Sequence, residues 1–183
     1  MRIAVLALQG AFIEHEQRLQ QLGVETFEVR QLSDWQSAKD GLILPGGEST
    51  VQMRLLRSLG LYEPVRQAIL DGLPVLGTCA GMILLSEERL GTMHCRVRRN
   101  AYGRQLGSFH TTGTVEGIGH DVPMTFIRAP YIEEVTAPDC KVLSTVDGHI
   151  VAVSQGRQLA TAFHPELDPD LRLHQFFCHE LIQ

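Results

Sequence analysis

The first ninety residues alternate between two hydrophobic periods. Residues 3–8, Ile-Ala-Val-Leu-Ala-Leu, form an unbroken apolar run, the signature of a strand covered on both faces. Phe12, His15, Leu19 and Leu22 then recur at helical spacing, with Gly23 as the stop. Residues 24–30 alternate weakly and predict a second strand. A third, short and apolar, covers 41–44 and ends at Pro45-Gly46-Gly47. Ser49 and Gln52 make an S-x-x-Q capping box that opens a helix stopping near Gly60. A further amphipathic stretch over 62–70 ends at Asp71-Gly72. Residues 74–77 read as a fourth strand, followed after Cys79 by a helical run through Leu90. This alternation predicts a parallel sheet with helices on both faces.

The pattern changes after Arg96. Short strands and turns fill the chain as far as Ala162, and runs at 141–146 and 149–154 flank Asp147-Gly148, a two-residue hairpin signal. Asp168-Pro169 supplies an N-cap and a first-turn proline for a last helix, with Leu173, Phe176, Phe177 and Leu181 facing inward. The expected fold class is α/β: a mostly parallel sheet flanked by helices, with an antiparallel annex, residues 1–183 forming a single domain.

Composition narrows the partners more than the fold. The 183 residues carry 16 basic and 21 acidic side chains, a formal charge of −5, which disfavours nucleic acid and anionic membrane. No apolar stretch approaches a membrane span, and the first apolar run is too short for a signal-peptide core. Cys79, Cys95, Cys140 and Cys178 fall at no framework spacing and read as reduced thiols of a cytoplasmic protein. His174 and Cys178 lie four residues apart without a third or fourth ligand in view, so no metal is expected, nor any other cofactor.

Candidate chemistry begins at Gly77-Thr78-Cys79-Ala80-Gly81. The form G-x-C-x-G between a strand and a helix is a nucleophile elbow with cysteine in place of serine. Small flanking residues allow the sharp turn, and the helix N-terminus behind the sulfur favours a thiolate. A buried structural cysteine is the plainer reading. His164-Pro165-Glu166 offers what a nucleophile needs, a base and an acid to orient it, because proline extends the backbone at His164 and lets alternate side chains meet. Two glycines at Pro45-Gly46-Gly47-Glu48 suit either a turn into a capped helix or an oxyanion hole. A lysine-bearing phosphate loop is excluded, since G-K-[ST] is missing. Arg96, Arg98, Arg99 and Arg104 form the basic cluster; on a strand Arg96 and Arg98 share one face and Arg99 takes the other.

G-T-C-A-G with a distant H-P-E resembles the class I (triad) glutamine amidotransferases. Leu8-Gln9-Gly10-Ala11, the Pro-Gly-Gly-Glu-Ser-Thr run at 45–50, Arg99-Asn100-Ala101-Tyr102-Gly103-Arg104-Gln105, Phe126-Ile127-Arg128-Ala129-Pro130 and Phe163-His164-Pro165-Glu166-Leu167 are similar to the glutaminase subunits of pyridoxal 5′-phosphate synthase, the PdxT family. The resemblance implies a flavodoxin-like architecture and a Cys79, His164, Glu166 triad. It implies that Gly47, Glu48, Ser49, Arg99, Ile127 and Arg128 hold L-glutamine, with Gly47 and Ala80 as the oxyanion hole. It further implies a separate TIM-barrel synthase subunit of the PdxS family as the receiver of ammonia, and low activity until that partner docks. The segment 91–98 is shorter than in typical members. A glutaminase for another synthase, such as that of the histidine pathway, and a non-catalytic regulatory partner are the alternatives. The first has no reason to carry the Arg-Asn-x-aromatic-Gly-Arg-Gln block, and the second no reason to keep the nucleophile.

Overall fold

A computed structural model describes residues 1–99 and 108–182. Along the chain run β1 (Arg2–Leu6), α1 (Phe12–Gln21), β2 (Glu25–Val29), α2 (Leu32–Trp35), β3 (Gly41–Leu44), α3 (Ser49–Ser58), α4 (Tyr62–Leu70), β4 (Val75–Thr78) and α5 (Ala80–Leu85). After these come β5 (Cys95–Arg98), β6 (Ser108–Val115), β7 (Gly119–Ile127), β8 (Tyr131–Val135), β9 (Lys141–Val146), β10 (His149–Gln155) and β11 (Gln158–Thr161). A 3₁₀ turn (Pro165–Leu167) leads to α6 (Arg172–Phe176), which continues as a π-helical turn (Phe177–Leu181).

The large sheet has the order β2-β1-β3-β4-β11-β10-β8-β5, with β9 beside β10. It is parallel from β2 to β11 and antiparallel beyond. Its centre is dry: Ile3 to Leu6, Leu42 to Leu44, Val75, Leu76, Leu159 and Ala160 are fully buried. Each large apolar side chain there contributes about 1.5–3 kcal/mol. The unbroken apolar runs follow from this double coverage. A Cβ on Gly41 would meet Phe177 and Ile182, whereas one on Gly77 would meet Gly81 and Leu85. Leu44 pairs with Gly77, so strand alternation places α5 and the C-terminal helix on opposite faces. Thr78 therefore points to the C-terminal helix side, toward α1, which buries His15 and Leu19.

β6 and β7 form a separate two-stranded ribbon, stacked internally through Phe109 and Phe126 at 4.5 Å. Phe126 then meets the Phe163 ring edge-on at 5.8 Å, and the Thr125 carbonyl accepts from His164 N at 2.8 Å. The ribbon thereby fixes the backbone of the residue that follows β11. The hairpin expected at Asp147-Gly148 is present, both residues at positive φ (50° and 78°), as a type I′ turn demands.

Three local expectations are corrected. The cap of α3 is Glu48, whose side chain accepts from Thr50 N, and Gln52 turns back to donate to the carbonyls of Gln9 and Pro45. Ser49 and Gln52 thus form no capping box. The helix after Cys79 stops at Leu85, because Leu90, Thr92 and Met93 fold back and donate to the carbonyls of Leu84 and Leu85. Asp168 caps no helix. Its carboxylate instead receives His110 Nε2 at 3.1 Å and Thr125 Oγ1 at 2.9 Å, tying the ribbon to the 3₁₀ turn, and the helix opens at Arg172. The short α2, anchored by buried Trp35, has no counterpart in the hydrophobic pattern; the Asp34 carboxylate sets its start by accepting from Arg30 N and Gln31 N at 3.0 and 3.1 Å.

Candidate active site

Four adjacent parallel strands, β1, β3, β4 and β11, end at Leu6, Leu44, Thr78 and Thr161. Gln9, the Gly46-Gly47 loop, Cys79 and His164 follow them directly, and all border one edge of the sheet. Chain order reverses there, since β1 sends β2 to one side and β3 to the other. This is the switch point at which open α/β sheets bind ligands, outside the carboxyl ends of their strands.

Cys79 is held at φ 48°, ψ −100°, a region that ordinary residues avoid. Two glycines permit this elbow. A Cβ on Gly81 would lie 1.9 Å from the Leu44 carbonyl oxygen, and one on Gly77 would lie 2.8 Å from Gly81. The first turn of α5 can therefore cross β3 and β4 in close contact, lifting the sulfur above the strand ends. Cys79 N is anchored to the Thr161 carbonyl at 2.7 Å, which joins the nucleophile strand to the strand before His164.

His164 bridges the two other expected members of the triad. It borders the same cleft as Cys79, with which it interacts electrostatically, and its Nδ1 lies 2.6 Å from Glu166 Oε1. Burial by itself would lower the imidazole pKa, but the interactions with Cys79 and Glu166 and their charge raise it to about 10. The bond to Glu166 therefore favours the protonated imidazole. Burial alone would raise the Glu166 carboxyl; proximity of His15 and then the His164 bond bring it below the usual range. The His164 ring packs on Gly46, where a Cβ would come within 2.3 Å of its Cε1.

The Gly46 carbonyl accepts from Ala11 N at 3.0 Å, so the trans peptide turns the Gly47 N–H to the opposite side of the loop. Gln9 Oε1 receives Glu48 N at 2.7 Å and closes the loop from below. A cleft of about 530 Å³ lies above these groups. Gly47, Glu48, Ser49, Cys79, Ala80, Arg99, Ile127, Arg128 and His164 all line it, so the structure brings together every expected site residue, with Glu166 buried just behind. The segment 91–98 and β5 deliver Arg99 to this rim, where its guanidinium donates to Glu48 Oε1 at 3.2 Å. Arg96 and Arg98 pair instead with Glu134 and Glu133. Asn100 through Gln105, including Arg104, lie outside the described residues. A second hollow of about 540 Å³, between Arg54, Arg57 and Arg89, contains none of this chemistry.

Sequence reasoning missed His15, Thr78 and His174, which are fully buried behind Glu166. Their one sequence signal was a histidine on the apolar stripe of α1. His174 is occupied by His15 and meets no metal-binding cluster among the described residues. No helix among the described residues is long and apolar enough to cross a membrane.

Fold and cleft together define a glutamine amidotransferase: the structure superposes on a crystal structure of a glutamine amidotransferase with a TM-score of 0.92 at 42% identity, covering 98% of both chains. PurLQS from Thermotoga maritima shares the fold at a TM-score of 0.68 and 19% identity, over 98% of this chain and 98% of that one. The chain belongs to the SNO glutamine amidotransferase family, whose model matches residues 5–183. It is 56% identical to the pyridoxal 5′-phosphate synthase subunit PdxT of Methanocorpusculum labreanum, covering 97% of this chain and 96% of the relative. The subunit of the same name from Desulfitobacterium hafniense is 55% identical, with 97% and 92% covered.

Proposed function

We propose that residues 1–183 form the glutaminase of a pyridoxal 5′-phosphate synthase, hydrolysing L-glutamine to L-glutamate and ammonia. The observation that carries this reading is His164, sharing the cleft floor with Cys79 at a strained elbow and hydrogen-bonded to buried Glu166 behind it, with arginines on the rim.

Cys79 sulfur attacks the side-chain amide carbonyl and the C=O electron pair moves onto oxygen. Backbone N–H groups of Gly47 and Ala80 receive this oxyanion, each such donor being worth about 3 kcal/mol in the transition state. The His164 proton passes to the departing nitrogen, the C–N bond breaks, and ammonia leaves a glutamyl thioester. Neutral His164 then takes a proton from water, whose oxygen attacks the thioester; Cys79 leaves as the thiolate, which restores the starting pair with protonated His164, and the new carboxyl of glutamate loses its proton to solvent. Glu166 keeps the imidazole in the required tautomer throughout. Arg99 and Arg128 offer charge-assisted donors to the α-carboxylate of glutamine, while Glu48, Ser49 and Ile127 shape the rest of its seat.

Ammonia becomes protonated in water and ceases to be a nucleophile, so its release calls for a neighbouring acceptor site. We assign that site to a TIM-barrel synthase subunit of the PdxS family, in a cytoplasmic complex whose overall reaction is that of a lyase. Docking of that subunit is proposed to reset the Gly46-Gly47 peptide, now held by Ala11 N, and so to complete the oxyanion hole. A Cys79→Ala variant assayed for glutamate release with the synthase present should lose turnover; activity near that of the unaltered protein would reject the triad. Equal turnover of the unaltered chain with and without the synthase would reject the docking step.

A further inference from the structure

A polar cluster that this hydrolysis does not use lies on the far side of Glu166 from the cleft. His15, fully buried on the inward stripe of α1, places Nδ1 2.9 Å from His174 Nε2. Its Nε2 lies 3.0 Å from Thr78 Oγ1 and 3.4 Å from Glu166 Oε2. Thr78 Oγ1 also accepts from Gly46 N at 3.1 Å. Glu166 gives Oε1 to His164, whereas buried Oε2 completes no hydrogen bond and has His15 Nε2 facing it at 3.4 Å. The cluster thus touches the triad acid, the nucleophile strand and the oxyanion loop at once, from elements far apart in sequence.

Proton positions follow from what each ring nitrogen can find. His174 Nδ1 is buried without a partner, which is tolerable for a lone pair and costly for an N–H. The His174 proton therefore sits on Nε2 and is donated to His15 Nδ1, which must be bare. The His15 proton is then on Nε2, aimed between Thr78 Oγ1 and Glu166 Oε2. The reverse arrangement would give the Thr78 hydroxyl proton an acceptor, but it would orphan a buried N–H on His174 and set a His15 lone pair against a carboxylate, two costs against one gain. Groups facing His15 are Glu166 and His164 from the turn after β11, His174 from α6, Thr78 from β4, and Glu14 from its own helix, while Arg18 acts on His174 and donates to the Glu166 carbonyl. Burial pushes both buried rings below their ordinary values, which keeps them neutral. His15 therefore acts on Glu166 as an N–H dipole, not as a cation.

We infer that His15, fixed in its Nε2–H tautomer by His174, is a positioning residue that holds the Gly46 end of the oxyanion loop through Thr78 and turns its N–H dipole toward the otherwise unpartnered second oxygen of Glu166. The inference rests on the assignment of Cys79, His164 and Glu166 as the triad. Its consequence is a chain of contacts from α6 to the reacting imidazole whose members behind that imidazole lie outside the cleft lining.

Three substitutions in the assembled complex separate this role from simple packing. Glutamine at His15 can present an N–H where Nε2 stood, asparagine reaches only as far as Nδ1, and leucine fills space without donating. His15→Leu and His15→Asn should each lower kcat by about 10- to 100-fold, as expected when a buried carboxylate loses its nearest donor and the oxyanion loop its Thr78 anchor, with KM for glutamine little changed. The acid limb of the kcat profile should move to higher pH in both, because a carboxylate that loses a donor binds its proton more tightly. His15→Gln should stay within several-fold of the unaltered enzyme, with its acid limb in place. A His15→Gln variant as impaired as His15→Leu, or a His15→Leu profile scaled down without a shift, would overturn the inference. A second measurement needs no variant: ¹⁵N NMR of the histidine-labelled protein should show both rings neutral with protons on Nε2. A proton on His15 Nδ1 would overturn the inference even if the substituted proteins failed to fold. Loss of the triad assignment would register separately, as turnover surviving in Cys79→Ala with these ring tautomers unchanged.

Discussion

The two sides of the His164–Glu166 pair are built from opposite materials. On the cleft side, charges stand half in water: the Arg99–Glu48 bridge is 38% and 49% exposed, and Arg128 lines the same rim. On the other side, His15, Thr78 and His174 are fully buried, and the two rings are pressed toward neutrality. Exposed charges are mobile and screened, so each adds little to stability while remaining free to exchange one partner for a ligand. Buried neutral donors cannot exchange, and each lost partner leaves an unsatisfied group. A substrate-facing surface that adapts is thus mounted on a support that does not.

The largest contrast should come from the residue shared by both sides. Glu166→Gln preserves shape but presents an amide where His164 and His15 require an acceptor, and kcat should fall by roughly a thousandfold or more. Assay in the complex, beside a urea titration, would show whether the loss is catalytic; a loss under tenfold would mean that the carboxylate is not needed. Gly46→Ala attacks the junction differently, since its Cβ would sit 2.3 Å from His164 Cε1 and must displace the ring. A shift of that kind should cost on the order of 100-fold in kcat; unchanged kinetics would show the ring free to move.

Smaller effects should appear when pH is used to break the buried side. His15 and His174 titrate below the ordinary 6.5 in the folded protein, so the unfolded chain binds more protons once pH drops under that value. Stability present above pH 6.5 should decline by about 1.4 kcal/mol per pH unit for each histidine, until its folded value is reached. His164 has the opposite sign: with its folded value raised to about 10, its contribution is complete below 6.5 and declines as pH rises toward 10. Urea midpoints at pH 5, 6.5 and 9 should therefore be highest at the middle value. A midpoint at pH 5 matching that at 6.5 would contradict neutral, buried rings. The smallest change belongs to the exposed side. Arg99→Ala should alter folding stability by no more than about 0.5 kcal/mol, yet raise KM for glutamine about tenfold or more. A stability loss of several kcal/mol would erase the distinction between the two sides.

How legible each side was in the sequence follows from its physics. The elbow could be read because a sharp turn restricts residue type over five consecutive positions, Gly77 to Gly81, and the sheet because doubly covered strands are apolar throughout. The type I′ turn at Asp147-Gly148 was legible for the same local reason. Asp168 and Ser49 misled, since each fits an N-cap locally while a more distant or adjacent group decided the outcome: Thr125 and His110 took the Asp168 carboxylate, and Glu48 supplied the cap itself. The buried support was least legible. His15 and His174 are 159 residues apart, and no local pattern reports that two stripes will meet.

Burial of the other cysteines has a practical consequence. All four thiols are free, but burial raises Cys95 to about 12 and both Cys140 and Cys178 to about 11. At neutral pH about one in ten thousand or fewer of those sulfurs is ionised at any instant, and the thiolate is the reactive form. Cys79, the thiol that borders the cleft beside a protonated imidazole, is the one an electrophile shaped like glutamine should reach. The fold therefore supplies a single chemical handle, through which a reporter group could be placed at the reacting centre without removing any other cysteine.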